Sequence, residues 1–131
     1  MFHLGEIMDK SKAKYINPVV LAFVGDAVYS LFVRERLVFT SDGKPAALNE
    51  LAVKEVKATA QAEFVKDVMD FLTEEELAVY KRARNAKKTT RAKSASVAEY
   101  NASTGFEAVL GYLYLIGETE RLNYILNKGN V

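Results

Sequence analysis

Apolar residues recur along the chain at spacings of three and four, and no stretch alternates with period two, a pattern that predicts helices and no sheet. Residues 1–14 carry no long apolar run and read as a lead-in. Asn17-Pro18 marks a helix start, with Asn as cap and Pro in the first position, where its missing N–H costs nothing. That helix runs through Phe32 and Arg36 to a turn at Ser41-Asp42-Gly43. Pro45 reopens a helical stretch, Ala46 to about Phe64, rich in alanine and poor in β-branched residues. Thr73, followed three residues later by Glu76, is a capping box that opens a helix through Tyr80. Residues 85–96 lack large apolar side chains and read as an exposed loop, or a loop around a short helical turn. A further helix is expected from about Ala102–Thr104 to Ile116, with Gly117 just past its end. The last, Glu118 to Asn127, presents Leu122, Ile125 and Leu126 on one face. The expected fold is all-α, a single helical domain over residues 1–131.

Composition narrows the chemistry. The 131 residues, half of them hydrophobic, suffice for one core that needs no disulfide staples. There is no cysteine, and the single histidine is His3 in the lead-in. Serine–histidine triads, cysteine–histidine dyads and thiolate or histidine-rich zinc sites are thereby excluded. A bound metal would be a hard cation on oxygen ligands, magnesium or manganese. The missing cysteines fit a cytoplasmic protein. Residues 15–33 follow Lys10, Lys12 and Lys14 and raise the question of a membrane anchor. Pro18, Gly25 and Asp26 oppose it, since a central carboxylate costs ~2.5–3.5 kcal/mol on insertion scales. A core helix is the better reading.

Two acids stand out. Asp26 is the only charged residue between Lys14 and Arg34, and Glu107 the only one between Glu99 and Glu118. These are the two most hydrophobic stretches, and a lone buried carboxylate must be paired, protonated or bound to a cation. Each acid could have a basic partner from elsewhere, or lie on an exposed stripe: Ala22, Asp26, Tyr29 and Ser30, or Ser103, Glu107, Gly111 and Tyr114. Alternatively, both converge on magnesium for phosphate chemistry. The small residues near them suit either a concave surface or close helix packing.

Charge is uneven. Lys81, Arg82, Arg84, Lys87, Lys88, Arg91 and Lys93 form a run of seven basic residues without one acid, while the whole chain sums to +1. A solvated surface loop is the plain reading. The absence of acids favours nucleic acid instead, and the absence of aromatics within the run favours duplex phosphates over stacked bases.

Leu21-Ala22-Phe23-Val24-Gly25-Asp26-Ala27-Val28 resembles the signature of the ribonuclease III family, usually LEFLGDAV. Phe106-Glu107-Ala108-Val109-Leu110-Gly111 resembles the family's second acidic helix, usually D-x-x-E-A-L-I-G. Lys81-Arg82-x-Arg84-Asn85-Ala86-Lys87 and Ser103-Thr104-x-Phe106-Glu107-Ala108 look like the Mini-ribonuclease III branch, a bare catalytic domain without a double-stranded-RNA-binding domain. The resemblance spans roughly residues 17–127. It departs where larger members carry acids, at Ala22, near Val19 and at Thr104, so a tightly held metal pair is not expected. Thr104 is a candidate for orienting a water.

The resemblance implies a magnesium-dependent endoribonuclease that cuts double-stranded RNA as a homodimer, leaving 5′-phosphate and 3′-hydroxyl ends with a short 3′ overhang. It implies Asp26 and Glu107 as catalytic metal ligands, with manganese a substitute for magnesium. Arg82, Arg84, Asn85, Lys87, Lys88, Arg91 and Lys93 are the candidate RNA contacts. The implied substrate is the precursor of bacterial large-subunit (23S) ribosomal RNA, with a ribosomal protein or pre-ribosomal particle as a further candidate partner. The alternative is a non-catalytic duplex-RNA or ribosome-binding domain of the same fold. Nothing in the spacing of Glu50, Glu55 and Glu63 selects a further ligand.

Overall fold

A computed structural model describes residues 1–88 and 95–130, and among these every regular element is helical. The helices are α1 (Lys10–Ala13), α2 (Pro18–Thr40), α3 (Pro45–Val56), α4 (Ala58–Val68), α5 (Glu74–Asn85), α6 (Val97–Leu115) and α7 (Thr119–Leu126), with a 3₁₀ turn at Met69–Phe71. The all-α expectation holds. None of these helices is long and apolar enough to cross a membrane.

Several boundaries differ from the sequence reading, each for a local reason. The 46–64 stretch is two helices, because Lys57 adopts an extended backbone that ends α3 and caps α4. No proline or glycine marks this break. It is tolerated because the Gln61 side chain donates to the Val56 carbonyl at 2.7 Å, satisfying an oxygen the helix no longer serves. α6 starts at Val97 rather than near residue 102, opened by a second capping box in which Ser96 and Glu99 exchange hydrogen bonds. α5 runs past Tyr80 to Asn85, so Arg82, Arg84 and Asn85 are helical. Within the lead-in, Asp9 caps the short α1.

α6 is the central helix, packed on by α2, α4, α5 and α7, with Phe106, Ala108, Val109, Leu110 and Tyr112 all but inaccessible to solvent. The rings of Tyr29, Phe64 and Phe106 join α2, α4 and α6 at centroid separations of 5.1–5.7 Å. Glu76, buried, completes the α5 capping box and also receives both arms of Arg121 from α7 at 2.8 Å. Gly117, with φ +77°, closes α6 in a Schellman motif: it donates to Tyr114 and Glu118 donates to Leu113.

Two glycines bring α2 and α6 into backbone contact. A Cβ on Gly25 would lie 1.6 Å from the Glu107 carbonyl oxygen, and one on Gly111 would lie 1.9 Å from that of Leu21. Only hydrogen fits at either position. A third, Gly105, faces Tyr80, where a Cβ would come within 2.7 Å of the ring.

Candidate active site

The α2–α6 contact fixes where the two acids meet. Asp26 follows Gly25, and Glu107 supplies the carbonyl that Gly25 touches, so both carboxylates emerge at one edge of the crossing. They open into a cleft of about 420 Å³, walled by α2 (Val19, Ala22, Phe23), by the α3–α4 break (Val56, Ala58, Gln61) and by α6 (Tyr100, Ser103, Thr104).

The two acids are not equivalent. Asp26 is exposed at the rim, whereas Glu107 is set deeper and only partly accessible. Burial chiefly, then hydrogen-bonding proximity to the Asp26 carboxylate and its charge, push the Glu107 carboxyl up to about 9; a hydrogen bond from Gln61 works in the opposite direction. At neutral pH Glu107 therefore favours its protonated form unless a cation takes the proton's place. Neither acid forms an ion pair among the described residues, so the basic-partner reading finds no support there. Nor are the stripes exposed: Tyr29 is buried, and Gly111 is pressed against Leu21.

The donor set is two carboxylates, and the described residues hold no group of three or more histidine, cysteine, aspartate or glutamate side chains able to bind a metal. Hard oxygen donors, one of them held proton-prone by burial, suit a divalent cation completed by water and substrate oxygens. Of the three glutamates that sequence left open, Glu55 pairs with Arg36 and Glu63 with Lys66, and none lines the cleft. Thr104 does line it, but its hydroxyl proton is committed to the Tyr100 carbonyl at 2.9 Å, leaving only acceptor capacity.

Sequence reasoning missed Gln61. It donates to Glu107 Oε2 at 3.3 Å as well as to Val56. The signal was present: Gln61 falls on the apolar stripe of its helix with Ala62, Val65 and Val68, where an amide is out of place.

Comparison with known proteins decides the family. The model of the Ribonuclease III domain matches residues 19–118, which includes both acids. The chain belongs to the ribonuclease III family. Its relatives within the family include a Mini-ribonuclease 3 of Clostridium tetani, 45% identical over 95% of this chain and 83% of that protein. A Mini-ribonuclease 3 of a Thermoanaerobacter species is 49% identical over 92% of this chain and 85% of its own length. A crystal structure of a Fusobacterium nucleatum protein superposes with a TM-score of 0.79 at 32% identity, covering 86% of this chain and 90% of that one. As a family member the chain is an endoribonuclease of the ribonuclease III type. Val19, Ala22 and Thr104, at or near the positions where the resemblance above departs from the family's pattern, all line the cleft that holds Asp26 and Glu107.

The basic candidates of this ribonuclease III chain fall into distinct settings. Arg82 donates to the Lys14 carbonyl at 3.1 Å, and Arg84 lies over the Tyr80 ring while bonding Asn85. Lys88 donates to the Arg84 and Ala86 carbonyls at 2.8 Å, so it caps the end of α5. Lys87 is exposed. Arg91 and Lys93 lie outside the described residues. The Gly105–Tyr80 contact sets the end of α5 beside the half of α6 that leads to Glu107.

Proposed function

We propose that the Asp26–Glu107 pair is the catalytic centre of an endonuclease for double-stranded RNA, and that it works with magnesium, or manganese in its place. One observation carries this reading: the sole charged residue between Lys14 and Arg34 and the sole one between Glu99 and Glu118 converge in one cleft without a cationic partner among the described residues. A divalent cation there would supply charge against a phosphate and acidify the attacking water. Asp26 provides the accessible carboxylate at the rim; Glu107 provides the carboxylate fixed by the core. The glycine contact holds their spacing rigid, as catalysis by positioning requires. The cuts leave 5′-phosphate and 3′-hydroxyl ends.

The run Lys81 to Lys93 binds duplex phosphates, with Arg82, Arg84, Asn85, Lys87, Arg91 and Lys93 as contacts and Lys88 acting in part through the α5 terminus. The protein acts as a homodimer through α2. Opposite the buried face of that helix, Val20, Ala27, Leu31 and Val38 form a single exposed stripe, with Leu31 61% and Val38 67% accessible. The physiological substrate is the precursor of 23S ribosomal RNA in the cytoplasm, on or beside a pre-ribosomal particle; the Mini-ribonuclease III likeness supports that choice.

Cleavage of a long RNA duplex in magnesium, beside an EDTA control and Asp26→Asn, tests the centre. The variant is expected to lose at least about a thousandfold in cleavage rate while binding duplex as before. Binding without cutting by the wild type would favour the non-catalytic reading, whose support is the absence of acids at positions 22 and 104.

A further inference from the structure

Gln61 is a polar side chain on an otherwise apolar buried face. Its neighbours on the buried face of α4 are Ala62, Val65 and Val68, and only 2% of its own surface meets solvent. The amide is oriented unambiguously. Nε2 points at two acceptors, the Val56 carbonyl at 2.7 Å and Glu107 Oε2 at 3.3 Å; turning the amide over would set oxygen against oxygen at both. The result is a buried Oε1 with no hydrogen-bond partner. A stable core does not retain such an atom without return, because an unpaired buried acceptor is a direct cost.

Capping Val56 is half of that return. The other half is at Glu107, where the Gln61 amide is the one side chain among the described residues that donates to the carboxylate. The amide thus ties three things together: the end of α3, the first turn of α4 and the deeper acid on α6.

We infer that Gln61 is the positioning residue of the catalytic pair, holding Glu107 Oε2 so that the carboxylate is presented to a divalent cation in one fixed orientation, with the α3–α4 break as its anchor. This rests on the reading of Asp26 and Glu107 as the cation site. Gln61 touches neither substrate nor cation. It acts through Glu107, as hydrogen-bonded outer residues do at metal centres generally, where removing one costs 10–100-fold in metal affinity or activity.

The test uses the intact protein and manganese alone as probe. Thermal melts across a manganese titration give an apparent affinity without reference to activity; cleavage of duplex RNA at low and saturating manganese gives kcat and KM. Gln61→Met keeps length and volume, Gln61→Leu is a second apolar variant in case the first folds poorly, and Glu63→Gln, exposed and outside the cleft, is the control. Both Gln61 variants are expected to need at least about tenfold more manganese for the same stabilisation. Their kcat should fall at low manganese and recover at saturation, with the KM for RNA unchanged. A merely structural Gln61 gives the opposite pattern: a lower melting temperature without metal and a wild-type manganese requirement, which would overturn the inference. If the wild type itself gains no stability from manganese while Asp26→Asn behaves identically, the cation-site reading falls, and this inference with it.

Discussion

Gly25 meets the backbone of Glu107 so closely that a methyl group at its Cα would come within 1.6 Å of the Glu107 carbonyl oxygen. The contact is between main chains, where no side-chain adjustment can relieve a clash. It sets the distance between α2 and α6, and through it the distance between Asp26 and Glu107.

Gly25→Ala should therefore be severely destabilising, on the order of 3 kcal/mol or more, because backbone must move. Gly111→Ala should behave alike, since its Cβ would strike the Leu21 carbonyl. Denaturant melts of both, beside the exposed Glu63→Gln on α4, check this; a small loss in either glycine variant would mean that the helices can slide apart.

Glu107 makes stability depend on pH in an unusual direction. Its folded-state carboxyl, pushed up to about 9 by burial and Asp26, keeps a proton that the unfolded chain releases near 4.5. Stability without metal should fall as pH climbs between those values. In EDTA at pH 8, Glu107→Gln should be more stable than wild type by on the order of 1–2 kcal/mol, well below the full linkage value because the carboxyl still meets water at the cleft. The gap should close toward pH 5. Parallel curves of melting temperature against pH for the two proteins would show that Glu107 is not the titrating group.

Lys87 and Lys88 are adjacent but should act differently. Lys88→Ala removes the ammonium that caps the Arg84 carbonyl of α5 and that of Ala86 just past its end, and should cost about 0.5–1.5 kcal/mol. Lys87→Ala should leave stability within about 0.5 kcal/mol and flatten the slope of log affinity against log salt by ~0.9. Melts and duplex-RNA binding at several salt concentrations separate the two. An unchanged slope for Lys87→Ala would remove it from the RNA interface.

The exposed stripe on α2 predicts the oligomer. Leu31→Glu should convert a dimer to monomer in sedimentation equilibrium without altering the melt of the isolated fold, since Leu31 is on the side of α2 away from the core. A wild type that sediments as a monomer would overturn the dimer.

Much of this protein is legible in its sequence because the signals are local. Asn17-Pro18, the Thr73–Glu76 box and Gly117 each satisfy or end a helix through residues a few positions apart, and the structure keeps all three. The start of α6 obeys the same logic, through the Ser96–Glu99 box. That Asp26 and Glu107 are anomalous also follows from sequence, since each is the single charge within a long apolar stretch.

What tertiary structure alone decided is how those elements meet. The break at Lys57 has no breaker residue; it exists because Gln61 satisfies Val56 across it, and nothing in residues 46–64 by themselves specifies that bond. The small residues beside the acids were compatible with a surface or with packing, and the backbone contacts at Gly25 and Gly111 settled them as packing. The basic run reads from sequence as one block of charge, yet Lys88 is committed to the end of α5. Local patterns determine which helices form and which residues are out of place; only the packed chain determines which distant groups such a residue finds, because the contacts of Gly25 and Gln61 with Glu107 join residues dozens of positions apart.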